Sequence, residues 1–241
     1  MLFESVAVEY DRARPSYPDG IYDALGSLTG VRVLDVGAGT GIATRQLASR
    51  GAVVVAVDPG RHVLTRATER TVGLPAVVAD GAALPVGNKT VDLICFAQAW
   101  HWLDPKTRCA ETHRVLRDTG RWAGWWSHAR ADDEAWFNNY WSLIERHCAG
   151  THRGQRNIDW GQTVAQSGLF VVHDRIDVPW TRCISIDEWL IDQSSHSYVA
   201  SLAPPTRNDL LSSLRELLTT QFPYGEMTVR YETWLWTATK R

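Results

Sequence analysis

"VLDVGAGTGIATRQLA", Val33 to Ala48, decides how the chain is read. A short β-branched run ends in Gly37-Ala38-Gly39-Thr40-Gly41, and a helical pattern begins at Ile42. A glycine turn between a buried strand and a helix brings bare backbone close to a ligand and aims a helix N-terminus at it. The dinucleotide fingerprint G-x-G-x-x-G/A fits poorly, because its sixth position is Ile42 where close packing wants Gly or Ala. The spacing is instead G-x-G-x-G, preceded by Asp35. An acid at the end of that strand repels a pyrophosphate and suits a ligand bearing an ammonium group, such as the amino-acid end of S-adenosylmethionine.

Working outward, "AVVVAVD" (Ala52 to Asp58) and "PAVVAD" (Pro75 to Asp80) read as second and third buried strands, each ending in an acid. "VDLICFAQAW" (Val91 to Trp100) and "RWAGWWS" (Arg121 to Ser127) read as a fourth and fifth. Helical patterns fall between them at Ile42 to Arg50, His62 to Arg70 and, after Lys106, through about Leu116. Such alternation predicts an α/β fold with a parallel sheet covered on both faces. After Ser127 the rhythm breaks. Glu134 to Cys148 reads as an aromatic helix, Thr163 to Ser167 as a short one, and Leu169 to Ser185 as one long strand. Asp187 to Phe222 reads as two helices broken at Pro204-Pro205, and Glu226 to Lys240 as a last long strand. The last two strands are expected to finish the sheet as an antiparallel pair. One domain is expected over 1–241: a lid to 27, a cofactor core over 28–127, a divergent half with capping helical insertions over 128–225, and the last strand.

The chain has 241 residues, 44% of them apolar, and a formal net charge of −2. That charge gives no global pull toward nucleic acid or anionic membrane. The first residues have no uninterrupted apolar core of the secretory type, and no run is long enough to span a bilayer. Cys95, Cys109, Cys148 and Cys183 form no CxxC pair, so buried thiols in a reducing, cytoplasmic setting are expected and no metal site is indicated.

Asp58 stands where a carboxylate takes both ribose hydroxyls, which suits a dinucleotide as well as S-adenosylmethionine. Asp80 stands where one accepts from an adenine amine, with the next backbone N–H meeting a ring nitrogen. Singly, such acids are ordinary strand-end turn residues. Three at successive strand ends, beside the glycine turn, form a set.

The chain resembles the class I S-adenosylmethionine-dependent methyltransferases, in particular the small-molecule branch similar to trans-aconitate methyltransferase and the type 11 methyltransferases. The resemblance rests on "YDRARPSYP" (Tyr10 to Pro18), "VLDVGAGTG", "VVAVDPG", "VVADGAALP" and "FAQAWHWLDP" (Phe96 to Pro105). It implies a Rossmann-like seven-stranded sheet with the last strand antiparallel. It implies cofactor contacts from Tyr10, Arg14, Asp35, Gly37, Ala38, Gly39, Asp58, Pro59, Asp80, Gly81, Ala82, Ala97 and Gln98. Trp100, His101 and Trp102 then face the acceptor.

His101 is the candidate base, since an ordinary imidazole accepts a proton near neutrality; the alternative is a floor residue packed between Trp100 and Trp102. Tyr17 is read either as orienting the acceptor and sharing its proton or as packing. Methylases of exocyclic amines in nucleic acid carry an Asn/Asp-Pro-Pro-aromatic loop where this chain has Ala97-Gln98-Ala99-Trp100. The expected partner is therefore a small molecule, with no nucleic acid, no membrane, and a monomer or homodimer. Trp160, Trp180 and Trp189 add to Trp100 and Trp102, and an aromatic-walled site suits a flat heterocycle or an amine of secondary metabolism. Arg153, Arg156, Arg175 and Arg182 keep a carboxylate O-methyltransferase of the trans-aconitate type open as the alternative; an NAD-linked oxidoreductase is the more distant one.

Overall fold

The computed structural model describes residues 14–241. They fall into two compact units, one of residues 16–127, 159–178 and 233–241, the other of residues up to 15, 128–158 and 179–232.

The first unit carries the parallel sheet. It opens with α1 (Asp19–Leu25), then β1 (Arg32–Val36), α2 (Ile42–Ala48), β2 (Val53–Asp58), α3 (Arg61–Arg70) and β3 (Ala76–Val78). β4 (Val91–Ala97) follows, then a 3-10 turn over Trp100–Trp102, α4 (Arg108–Val115) and β5 (Leu116–Ala129). Further along are α6 (Trp160–Ala165) and β6 (Phe170–Val172). β1 lies parallel between β2 and β4, with Asp35 opposite Ala56 on one side and Cys95 on the other. Burial on both faces explains the unbroken apolar runs: Val33, Leu34, Val36, Leu93, Ile94, Cys95 and Phe96 are all buried. Neighbouring residues on a strand point to opposite faces. Trp125 accordingly joins Ile21, Tyr22 and Leu47 in one core, whereas Trp122 and Trp126 join Phe96, Trp100, Phe170 and Trp236 in the other.

Among the described residues the sheet has eight strands rather than seven; with β7 over Ile176–Ser185 and β8 over Glu226–Lys240, the order is β3-β2-β1-β4-β5-β8-β6, and β7 also pairs with β8. β8 (Glu226–Lys240) runs antiparallel to β6, as expected of the last strand. The extra strand arises because the stretch read as one strand from Leu169 is interrupted: β7 (Ile176–Ser185) starts after a break at 173–175. Arg175 leaves the ladder there, pairs with Asp177 at 2.5 Å and lies 4.0 Å over the Trp234 ring. β5 starts earlier than expected because it carries an irregularity: Leu116 pairs with Val91, but Arg121 with Leu93.

The second unit is helical: α5 (Ala135–His147), α7 (Ile186–Ser194), α8 (Ser197–Ala200) and α9 (Pro204–Gln221). Helix α6 lies in the first unit. Trp136, Phe137, Tyr140 and Trp141 line one face of α5 and pack with Leu210, Leu214 and Leu218, which recur every four residues along α9. The region read as two helices holds three, because the chain turns at Ser195 after α7; Pro204 begins α9, where a missing N–H is harmless. α7 opens on a capping box between Ser185 and Glu188. Asp192 is buried and held by Arg14 at 3.1 Å and Arg182 at 3.6 Å.

Cys95, Cys109 and Cys148 are buried as expected, whereas Cys183 is exposed. Among the described residues no helix is long and apolar enough to cross a membrane. Leu214 is fully buried and Leu211 only partly so. Leu214→Ala is expected to destabilise the protein by about 2–5 kcal/mol and Leu211→Ala by clearly less, measured by urea denaturation; equal losses would misplace the face of α9.

Candidate functional site

The glycine turn is built by close approach. A Cβ on Gly37 would lie 2.3 Å from the Cβ of Ala99, and its φ is +73°. β1 and β4 are neighbours, so the turns leaving them touch, and only a bare backbone fits. Gly39 differs: its φ is +55°, and a Cβ there would meet nothing within 4 Å. That open space is where a ligand can come against the chain.

The turn spends its N–H groups internally. Gly37 and Ala38 donate to the Val57 carbonyl at 2.8 and 3.1 Å, and Gly41 to that of Ala38 at 2.9 Å. Gly39 donates to Asp58 Oδ2 at 2.9 Å. A pyrophosphate needs such donors free, so the turn is ill-suited to the dinucleotide that sequence alone left open. Asp58 also accepts from Gly60 N at 2.7 Å through Oδ1. It thus orders the turn and keeps lone pairs for a diol.

Asp35 lies deeper. Thr44 Oγ1 donates to its Oδ2 at 2.6 Å, while Oδ1 is buried with no hydrogen-bond partner among the described residues. Burial pushes the carboxyl up to about 6 against the opposing pull of Thr44, and the nearby Asp58 charge adds to the rise. An orphaned buried carboxylate oxygen calls for a donor, and an ammonium group is one. Thr40 Oγ1, in the same turn, is also buried without a partner.

The remaining expected cofactor residues sit at the carboxyl ends of the neighbouring strands. Pro59 is exposed after β2. Asp80, exposed after β3, accepts from Ala82 N at 2.8 Å, and Gly81 packs closely on Val36 and Leu103. Ala97 ends β4 opposite Trp125. Gln98 has φ +55°, uncommon outside glycine, and turns the chain out of the sheet while its N–H bonds the Trp125 carbonyl at 2.9 Å. Arg14 is in the helical unit, paired with Asp192. Tyr10 lies outside the described residues.

The three residues of the Trp100-His101-Trp102 turn take different environments. Trp100 is fully buried, with Phe96 at 4.7 Å and Trp122 at 5.4 Å between ring centroids, so it faces the core and not an acceptor. Its N–H donates to Thr163 Oγ1 at 3.2 Å, and that hydroxyl donates to the Trp160 carbonyl at 2.7 Å. Trp100 therefore steadies Trp160. Trp102 is 59% exposed. His101 sits between them, its ring 4.8 Å from Trp102 and 5.7 Å from Trp160.

Sequence reasoning missed Trp126, which reaches His101 from β5 and donates its indole N–H to Nδ1 at 3.3 Å. The only hint was its place in "RWAGWWS"; the β4–β5 register does the rest. It also missed Arg108, a buried arginine that donates to the Trp100 carbonyl at 3.0 Å. The His101 residue keeps exposed surface, but its ring is crowded by indoles. Burial of the ring and the nearby Arg108 charge push its pKa down to about 4, not the near-neutral value expected. With Nδ1 accepting from an indole, the ring proton lies on Nε2. Both features disfavour proton uptake at neutral pH. Tyr17 packs on Trp125 at 5.7 Å, edge-on, and its N–H and carbonyl are both bonded to Gln46. Trp125 and Trp126 face opposite sides of the sheet, so the structure separates Tyr17 from His101 instead of joining them.

The arginines nominated for a carboxylate each pair with an acid: Arg153 and Arg156 with Asp132, Arg175 with Asp177, Arg182 with Asp192.

Comparison with known proteins fits this arrangement. Residues 34–123 match the methyltransferase domain family. An uncharacterized methyltransferase of Mycobacterium tuberculosis is 34% identical over 223 residues, covering 91% of this chain and 86% of that protein. Among solved structures, a protein assigned as a type II methyltransferase from Anaeromyxobacter dehalogenans is similar with a TM-score of 0.72 at 24% identity, over 94% of this chain and 97% of that one. The phosphoethanolamine N-methyltransferase 2 of Haemonchus contortus, in complex with phosphomonomethylethanolamine and S-adenosylhomocysteine, shares the fold at a TM-score of 0.55 and 19% identity, over 98% of this chain and 57% of that one. The G-x-G-x-G turn with its strand-end acids, the mostly parallel sheet closed by an antiparallel strand, and a relative matching nine-tenths of the chain together make this chain a member of the class I S-adenosylmethionine-dependent methyltransferases.

Proposed function

We propose that the chain holds S-adenosylmethionine against Asp35, Gly37 to Gly39, Asp58 and the turn at Asp80 to Ala82, and methylates a carbon or nitrogen of a small aromatic or nitrogen-heterocyclic molecule, indole-like in size. The observation that carries the acceptor reading is the aromatic wall of His101, exposed Trp102 and Trp160 beyond the end of β4. Flat faces of this kind stack on a heterocycle and attract a cationic amine. The cofactor reading is supported by the orphaned Asp35 oxygen, the open face of Gly39 and a turn whose N–H groups are already used.

When bound, S-adenosylmethionine supplies a methyl group on a sulfonium that leaves as a neutral thioether. What remains for the protein is to align the acceptor and exclude water, the proton displaced from a carbon or N–H acceptor passing to solvent as the product leaves, and alignment alone is worth about 7–11 kcal/mol of barrier. Asp58 would accept from ribose hydroxyls and Asp80 from the adenine amine, while the buried carboxylate of Asp35 would set negative charge behind the ammonium group. His101, Trp102 and Trp160 fix the plane of the acceptor. His101 does so as a donor from Nε2 and not as a proton sink.

The direct test is turnover with a labelled methyl group on a panel of heterocycles, amines and carboxylates. Heterocycles are expected to react, with Trp102→Ala raising KM for them about 2–10-fold, the range for a lost aromatic contact. Methylation of carboxylates alone would overturn the acceptor reading. Asp58→Ala is expected to weaken S-adenosylmethionine binding by about 1.5–3 kcal/mol, as for a hydrogen bond to a charged group; unchanged affinity by calorimetry removes Asp58 from the site.

Asp35 makes a prediction about pH. Its carboxyl titrates near 6 in the fold and near 3.8 when free. The folded state is therefore favoured below the lower value, and that advantage is lost as pH rises through 6. Asp35→Asn cannot ionise. Its stability relative to wild type is expected to improve from pH 4 to a little above pH 6 and then level off in urea titrations, while its affinity for S-adenosylmethionine falls. A pH-independent difference would contradict a buried, costly charge at Asp35.

A further inference from the structure

Trp126 is a buried strand residue that the reaction itself does not require, yet it is aimed at the one titratable group in the aromatic wall. Its indole N–H meets His101 Nδ1 at 3.3 Å. Two further indoles pack against the Trp126 ring. Trp160 stacks on it at 5.1 Å with 18° between planes, and Trp236 meets it edge-on at 5.7 Å. The other ring nitrogen of His101, Nε2, has no partner among the described residues, and the residue is exposed.

We propose that Trp126 is a positioning residue for acceptor choice: by donating to Nδ1 it locks His101 with its proton on Nε2, so that the wall presents one directed hydrogen-bond donor and selects acceptors carrying an in-plane lone pair. The inference rests on the acceptor reading above and narrows it. An indole nitrogen has a proton to give and no in-plane lone pair to offer. Nδ1 must then be the bare nitrogen, and the neutral ring has only the Nε2 proton to present. Arg108 is the charged group acting on the ring; its positive charge opposes a second proton and keeps the ring in this neutral form. A flat molecule stacked on Trp102 or Trp160 satisfies the donor only if it brings an imine-type ring nitrogen, a carbonyl or a phenolic oxygen to it. A molecule of the same shape without such an atom leaves the donor to be desolvated unpaired, which is how sites built to hydrogen-bond a ligand reject close analogues.

Indole and benzimidazole make the test. They share size and shape, but only benzimidazole has an in-plane lone pair. With S-adenosylhomocysteine saturating, wild type is expected to bind benzimidazole about tenfold more tightly than indole, near the value of one hydrogen bond. His101→Phe should abolish the preference, His101→Gln, which keeps a donor at that reach, should retain most of it, and Trp126→Phe should reduce it without weakening indole binding. Nitrogen-15 spectra of histidine-labelled protein give an independent reading: a single Nε2–H form unchanged from pH 5.5 to 8 in wild type, and a mixed, titrating ring in Trp126→Phe. Equal binding of the two molecules by wild type, or a wild-type His101 that titrates near 6.5, overturns the role of Trp126 and leaves the aromatic acceptor standing. Failure of both molecules to bind overturns the aromatic-acceptor reading, and the role of Trp126 falls with it.

Discussion

The contact on which the arrangement turns is that of Gly37 with Ala99. It brings the turn after β1 against the turn after β4, so closely that a single added carbon would sit 2.3 Å from its neighbour. Parallel pairing of adjacent strands brings both turns to the same end of the sheet, and the missing side chain lets them meet. The glycine turn that adjoins Asp58 leaves β1, and the Trp100-His101-Trp102 turn follows directly from the other. A glycine is required here for two reasons that act together, a left-handed backbone and the absence of room.

Asp35 shows the opposite logic. It is placed by β1 in a position that nothing in the packing requires, between two parallel strands and out of reach of water. Thr44 satisfies one oxygen, and the other is left without a partner. Burying a carboxylate in this way works against stability, and a core built only for folding would have an apolar residue there. Such a departure from good packing, four residues before an open-faced glycine, is of the kind that function and not folding imposes, and it supports the cofactor reading proposed above.

Much of the first unit is legible in the sequence because its signals are local. β-branched runs, strand-end acids and glycine turns each say what they are within ten residues, and strands β1, β2, β4 and β8 lie within a few residues of where the pattern puts them. The split of Leu169 to Ser185 into two strands is less legible, because Asp174 and Arg175 fit an alternating pattern as well as they fit a break. The aromatic turn is least legible of all. Trp100 and Trp102 are the same residue type two positions apart, and only tertiary packing decides that one fills the core while the other faces solvent. The partner of His101 is set by register between β4 and β5, a relation no single stretch of sequence contains. An imidazole near neutrality was the reasonable expectation for an isolated histidine, and three surrounding indoles and one arginine change it.

The chain of hydrogen bonds from Trp100 through Thr163 to Trp160 has a consequence for how such a protein can diverge. The cradle is encoded by residues 35–82, whereas Trp160 stands on the first turn of a six-residue helix, α6, encoded far downstream and capped by its own Asp159. That helix is tied to the sheet in part through Trp100, which otherwise packs on Phe96, Trp122 and Arg108. A substitution at Trp160 thus changes the aromatic surface beside His101, whereas the hydrogen bonds that order the glycine turn run to Val57 and Asp58. The glycine turn and the aromatic surface are thus ordered by separate residues, so under the acceptor reading proposed above a change in α6 would alter acceptor preference while leaving the cradle intact.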